Sequence, residues 1–148
     1  MGWVRAVQRH LLVAAILALG ASAIFASDWP RFRGPNGSGI ADSPAPVEFG
    51  PNKNIDWRTA VPVGRSSPVV AGSRVYLTAV EGEKLITLAV NRTSGLIEWR
   101  RDITRPHAQK IYVGNSSATA TPVVDGSNLY VFFGDLGLVS YTADGVER

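Results

Sequence analysis

The sequence predicts an all-β fold assembled from repeated four-stranded antiparallel units. Three observations predict it. Short segments rich in β-branched and aromatic residues recur between turn signals from Ile55 onward. No apolar stripe of helical period appears after residue 26, so no helix is expected there. The block that begins at Ser67 recurs, in the same order, beginning at Thr121.

Residues 1–26 read as a secretory signal peptide. Arg5 and Arg9 form a basic start, Leu11 to Leu19 an apolar stretch, and Ala21-Ser22-Ala23 a small-residue cleavage site, with a second possible cut after Ala26. The apolar run to Ala26 falls short of the ~20 residues a membrane span needs. Export to the periplasm or beyond is expected, with no stable membrane span after cleavage.

Residues 27–54 are turn-rich, with Pro30, Pro35, Pro44, Pro46 and Pro51 among several glycines. Proline removes backbone donors and glycine weakens extended pairing, so long strands are not expected. Trp29 and Phe32 are too apolar for a free linker and are expected to pack on the domain that follows.

Residues 55–148 carry the β segments. Strands are expected over Ile55 to Thr59, Ser67 to Val70, Arg74 to Val80, Lys84 to Val90 and Leu96 to Asp102. The repeat is Ser67 to Tyr76 against Thr121 to Tyr130, with Pro, Val, Val, Gly, Ser and Tyr identical. Pro68 and Pro122 open an inner strand, where a missing N–H costs no ladder bond. Trp57 and Trp99 each close a strand-like segment and lie about one unit apart. Gly95 and Gly145 correspond later in the two units. Four strands in about 40 residues is the size of a propeller blade. Two such units are expected, about Ser67 to Asp102 and Ala118 to the end, with Ile55 to Thr59 as an extra strand. Two blades do not close a ring of ~7–8, so the sequence reads as a truncated, N-terminal portion of a β-propeller.

The segment Ala89-Val90-Asn91-Arg92-Thr93-Ser94-Gly95-Leu96-Ile97-Glu98-Trp99 resembles the tryptophan-docking motif of PQQ-like (pyrroloquinoline quinone) repeat propellers. Asn91 stands where that motif has Asp, and Ser94 where it usually has Thr. Asp28-Trp29-Pro30 with Phe32-Arg33-Gly34-Pro35 is similar to the opening of many exported bacterial proteins of this group. In the second unit Val139, Tyr141 and Gly145 are expected at the motif's Ala, Asp and Gly positions. The resemblance implies a structural role for Ala89, Asn91, Gly95, Trp99 and Trp57, with the tryptophan packed between blades.

Composition narrows the function. Without the leader the net charge falls from +3 to +1, which argues against a nucleic-acid partner. Arg100 and Arg101 beside Asp102 are expected at a solvated strand end. The absence of cysteine excludes disulfides, thiolate metal sites and a cysteine nucleophile within this span. His107, with Lys110 and Tyr112 nearby, lies in a polar connection and reads as solvated. Asp125, Asp135 and Asp144 sit at turns, where such side chains stabilise local geometry. No catalytic, cofactor or metal residue is assigned. The expected function is a non-enzymatic binding or scaffold propeller with an unidentified protein or small-molecule partner. The resemblance also implies an alternative, a quinoprotein dehydrogenase using PQQ and calcium, and a third, an outer-membrane protein assembly subunit. The long connection Thr104 to Ala118 is the expected contact surface.

Overall fold

The computed structural model describes residues 27–43 and 45–148. The expected signal peptide lies outside the described residues. The described residues form an all-β structure of seven strands and no helix. In chain order these are β1 (Val69–Ala71), β2 (Arg74–Glu81), β3 (Lys84–Asn91), β4 (Ile97–Thr104), β5 (Val123–Asp125), β6 (Asn128–Phe133) and β7 (Gly137–Thr142). They make two antiparallel sheets, β1-β2-β3-β4 and β5-β6-β7, each a simple meander.

Both sheets start in the same register. Val69 pairs with Tyr76 in the first and Val123 with Tyr130 in the second. The tight turns Gly72-Ser73 and Gly126-Ser127 close the first hairpin of each. β2 and β3 are rich in branched and apolar residues, and β3 is buried almost throughout, as suits the centre of a sheet covered on both faces. One face of the first sheet, with Val69, Tyr76, Leu85, Ala89 and Trp99, packs on Leu129, Val131, Phe133 and Tyr141 of the second. The opposite face of the first sheet holds a smaller cluster of Ala79, Ile86 and Leu88.

Four expectations are corrected. Ile55 to Thr59 is not a strand. It gains no ladder partner and is held by side chains, Trp57 and Thr59, that bond to the β3–β4 turn. Ser67 and Pro68 lie outside β1. Pro68 has no N–H to give, and Ser66 takes over part of the ladder: its hydroxyl accepts from Thr78 N at 3.0 Å. Trp99 does not end its strand. It is the third residue of β4, which runs on to Thr104. The second sheet has three strands rather than four. Beyond β7 the pattern is continued by an isolated bridge, Tyr141 with Glu147, and by bonds from Thr142 N to Val146 O at 2.8 Å and from Arg148 N to Ser140 O at 2.9 Å.

The turn-rich segment does pack on the sheets, through Trp29. Its N–H and C=O both pair with Val70, at 2.8 and 2.9 Å. Phe32 departs from expectation and is 61% exposed. Among the described residues no helix is long and apolar enough to cross a membrane.

Candidate functional site

Of the residues singled out by the repeat, Trp99, Ala89 and Gly145 lie in the joint between the two sheets. Trp99 is 8% exposed and lies between Tyr76 and Tyr141, with ring centroids 5.9 and 6.0 Å away. Its indole N–H donates to Ala143 O at 2.9 Å. The Arg101 guanidinium sits 5.5 Å from the ring centre. It also donates to Gly145 O at 2.6 Å. The expected solvated strand end is therefore a clamp at Arg101. A strand's alternation explains it, since residues 99 and 101 share the face turned to the second sheet. Arg100 faces the other way and pairs with Asp102 and Glu81.

Gly145 shows why the repeat needs glycine. Its φ is +79°, and a Cβ there would lie 2.7 Å from the Trp99 ring. The same dock recurs one unit earlier. Trp57 donates from its indole N–H to Arg92 O at 2.8 Å, and a Cβ on Gly95 would lie 2.6 Å from its ring. Ala89 is the cross-strand partner of Trp99 and is fully buried. A bulge follows at Ala89/Val90 and leaves Glu98 as the extra residue. Asn91 organises the turn: its carbonyl oxygen accepts from Thr93 N and Ser94 N at 3.0 and 2.9 Å, and its amide donates to Glu98 at 2.7 Å. That amide and Arg74 hold the Glu98 carboxyl below its ordinary pKa.

The second-unit counterparts differ by one position from those expected. Ser140, across from Tyr130, holds the place of Ala89, across from Tyr76. Thr142 holds the place of Asn91, and the turn to Gly145 is correspondingly shorter. Pro68 and Pro122 each directly precede the first strand of a sheet, an edge strand, and of the two only Pro122 is buried.

A second cluster lies where the connection 105–122 crosses the β6–β7 turn. Asp135 is 1% exposed. Its carboxylate accepts from Ser117 Oγ at 2.5 Å and Gln109 N at 3.2 Å, and faces Arg105 at 3.5 Å. Burial by itself would raise this carboxyl, but Ser117, Gln109 and Arg105 outweigh it and hold the group below its ordinary value. Arg105 also grips Glu83 through two hydrogen bonds of 2.8 and 2.6 Å. Those bonds lower the exposed Glu83 carboxyl and raise Arg105. One arginine thus ties the β2–β3 turn to the β6–β7 turn. Asp135 is a long-range anchor, not the local turn former expected. The sequence signal available for it was weak, a single acid in the turn between Gly134 and Gly137.

Beside Asp135 is a cavity of about 300 Å³, lined by Gln109, Asn115, Ser117, Thr119 and Phe132 among others. His107, Lys110 and Tyr112 are exposed and do not line it. Asp125 and Asp144 are exposed, and Asp144 pairs with Arg74 at 3.0 Å. The Ser117 hydroxyl donates to the Asp135 carboxylate, a bond that fixes the connection in place. Among the described residues no group of three or more His, Cys, Asp or Glu could hold a metal ion. The arrangement fastens the connection to the sheets and leaves its tip outside: Tyr112 is 86% and Val113 91% exposed. No protein-family model matches the chain, and no curated protein matches it either.

Proposed function

We propose that this chain forms neighbouring blades of a β-propeller of the PQQ-like repeat kind, in an exported protein that acts as a binding or scaffold module without catalytic activity. Support for the propeller comes from how the sheets stack. One face of the first sheet meets the opposite face of the second, which is a head-to-tail contact and continues by its own geometry. Val69, Thr78, Thr87 and Ala89 are buried against the second sheet, each at most 1% exposed. Their register counterparts are Val123, Phe132, Leu138 and Ser140. Phe132 is 50% and Leu138 70% exposed, an apolar face of the kind a third unit would cover. The twice-used tryptophan dock is the same relation between units.

The observation that carries the function is the connection 105–122. It is fastened by a buried carboxylate at its base and presents Ile111, Tyr112 and Val113 outward. Exposed aromatic and aliphatic side chains on an anchored loop favour a contact surface over a substrate pocket. A photo-crosslinking residue at Tyr112, introduced in the native host, should give one discrete adduct that the same residue at Val47 does not. The protein purified with calcium and PQQ should neither bind the quinone stoichiometrically nor reduce dyes with alcohols or sugars. Stoichiometric binding with turnover would replace this reading by the quinoprotein dehydrogenase. An adduct with an outer-membrane assembly component would select the third reading.

A further inference from the structure

The N-terminal edge of the described residues holds a feature that neither the repeat nor the connection 105–122 uses. β1 and β5 are edge strands of three residues each and lie near one another. Each has one edge paired, to β2 or β6. The other edges carry backbone groups that need partners. Both are met by one dipeptide. Trp29 exchanges both backbone bonds with Val70, and Pro30 O accepts from Val124 N at 2.8 Å. Val70 and Val124 occupy the same position of the repeat in its two copies. Two units thus offer equivalent donors side by side, and a single extended segment reads the pair.

Side chains give that segment an order. Asp28 accepts from Gly72 N at 3.0 Å, at the β1–β2 turn, and faces Arg92 at 3.7 Å. Trp29 is half-buried and lies on Gly34, where a Cβ would come within 2.8 Å of the ring. The chain can fold back there because Arg33 and Gly34 both have positive φ, 63° and 81°. Pro30 uses only its carbonyl, so its missing N–H costs nothing. The residues that follow, such as Ile40, Val47 and Phe49, are exposed, so the segment hangs on a tether that the sheets do not grip closely.

We propose that the adjacent outer edges of β1 and β5 are a docking site for an extended peptide of the order acid, tryptophan, proline, and that Asp28–Gly34 is its tethered occupant. Recognition is β-augmentation: main-chain bonds supply affinity, and the tryptophan and the acid supply register. A tether of this length gives an effective concentration on the order of millimolar. Added peptide therefore competes poorly with the unaltered chain and well with a chain whose own occupant is weakened.

The test uses the full chain with Asp28→Ala and Trp29→Ala together, and a fluorescent synthetic peptide of residues 27–39. The double variant should bind the peptide at least tenfold more tightly than the unaltered protein. Amide exchange at Val70 and Val124 should accelerate together in the variant, at least tenfold, and slow again when peptide is added. The β2–β3 amides should not change. A folded variant that shows no binding, or no change at Val70 and Val124, overturns the proposal, as does equal binding by the two proteins. Should the double variant fail to fold, exchange in the unaltered protein decides. Val70 and Val124 opening together, at least tenfold faster than the β2–β3 ladder, supports a detachable occupant. Opening only with the whole sheet rejects it.

Discussion

Replacing Trp99 with alanine should be the most damaging single change in the joint between the sheets. Large-to-small changes of a buried aromatic cost about 3–5 kcal/mol. Trp99 belongs in the upper half of that range for three reasons visible in its surroundings. Its ring is wedged between Tyr76 and Tyr141, so neither sheet can collapse into the gap without moving the other. Loss of the indole N–H leaves Ala143 O without that partner, a term of about 1 kcal/mol. Arg101 loses the face it lies on, worth about 0.5–1 kcal/mol. These contributions overlap, and about 4 kcal/mol is expected in all. Trp57 is the internal control. It makes the same indole bond and the same glycine contact but is only half-buried and has no aromatic neighbours among the described residues. Trp57→Ala should cost about half as much, near ~2 kcal/mol. Urea titration of both variants, followed by far-ultraviolet circular dichroism, measures the difference. A loss below about 1 kcal/mol for Trp99→Ala, or a larger loss for Trp57→Ala, would refute the wedge.

Gly145→Ala should cost about 2–4 kcal/mol, because a left-handed φ strains any other residue and the new Cβ meets the Trp99 ring; thermal unfolding reads it. Asp135 has a carboxyl pKa held below its ordinary 3.8, so it stabilises the fold above that value and the contribution fades as pH falls through the lower folded value. Asp135→Asn should flatten the acid limb of a stability-against-pH curve below about pH 4, and hydrogen exchange at Gln109 should lose its protection. Thr78 Oγ is buried with no hydrogen-bond partner among the described residues, so Thr78→Val should be neutral or stabilising by up to about 1 kcal/mol in the same titration. Tyr112→Ala should leave stability within about 0.5 kcal/mol while abolishing any partner binding seen by crosslinking.

Local pattern was enough for β2, β3 and β4 and for the recurrence of the first hairpin. β2, β3 and β4 fall close to where branched residues and turn glycines put them, because each is closed by a turn whose chemistry lies in adjacent residues. The match of the Ser67 block to the Thr121 block is also purely sequential, and it predicted equivalent hairpins that do share register. Ile55 to Thr59 shows where this ended. Its composition suits a strand, but a strand exists only with a ladder partner, and that depends on which chain segment arrives beside it. Tertiary structure likewise decided Arg101, a charged residue turned into a joint by the alternation of β4 and the approach of Gly145. It decided Asp135, whose partners Ser117, Gln109 and Arg105 come from a distant stretch of the chain. It brought Val70 and Val124 together on Trp29 and Pro30. Which segments extend, where they turn and that they repeat follow from neighbouring residues and can be read along the chain. Which side chains meet across the sheets depends on the stacking of units, and no local pattern encodes that.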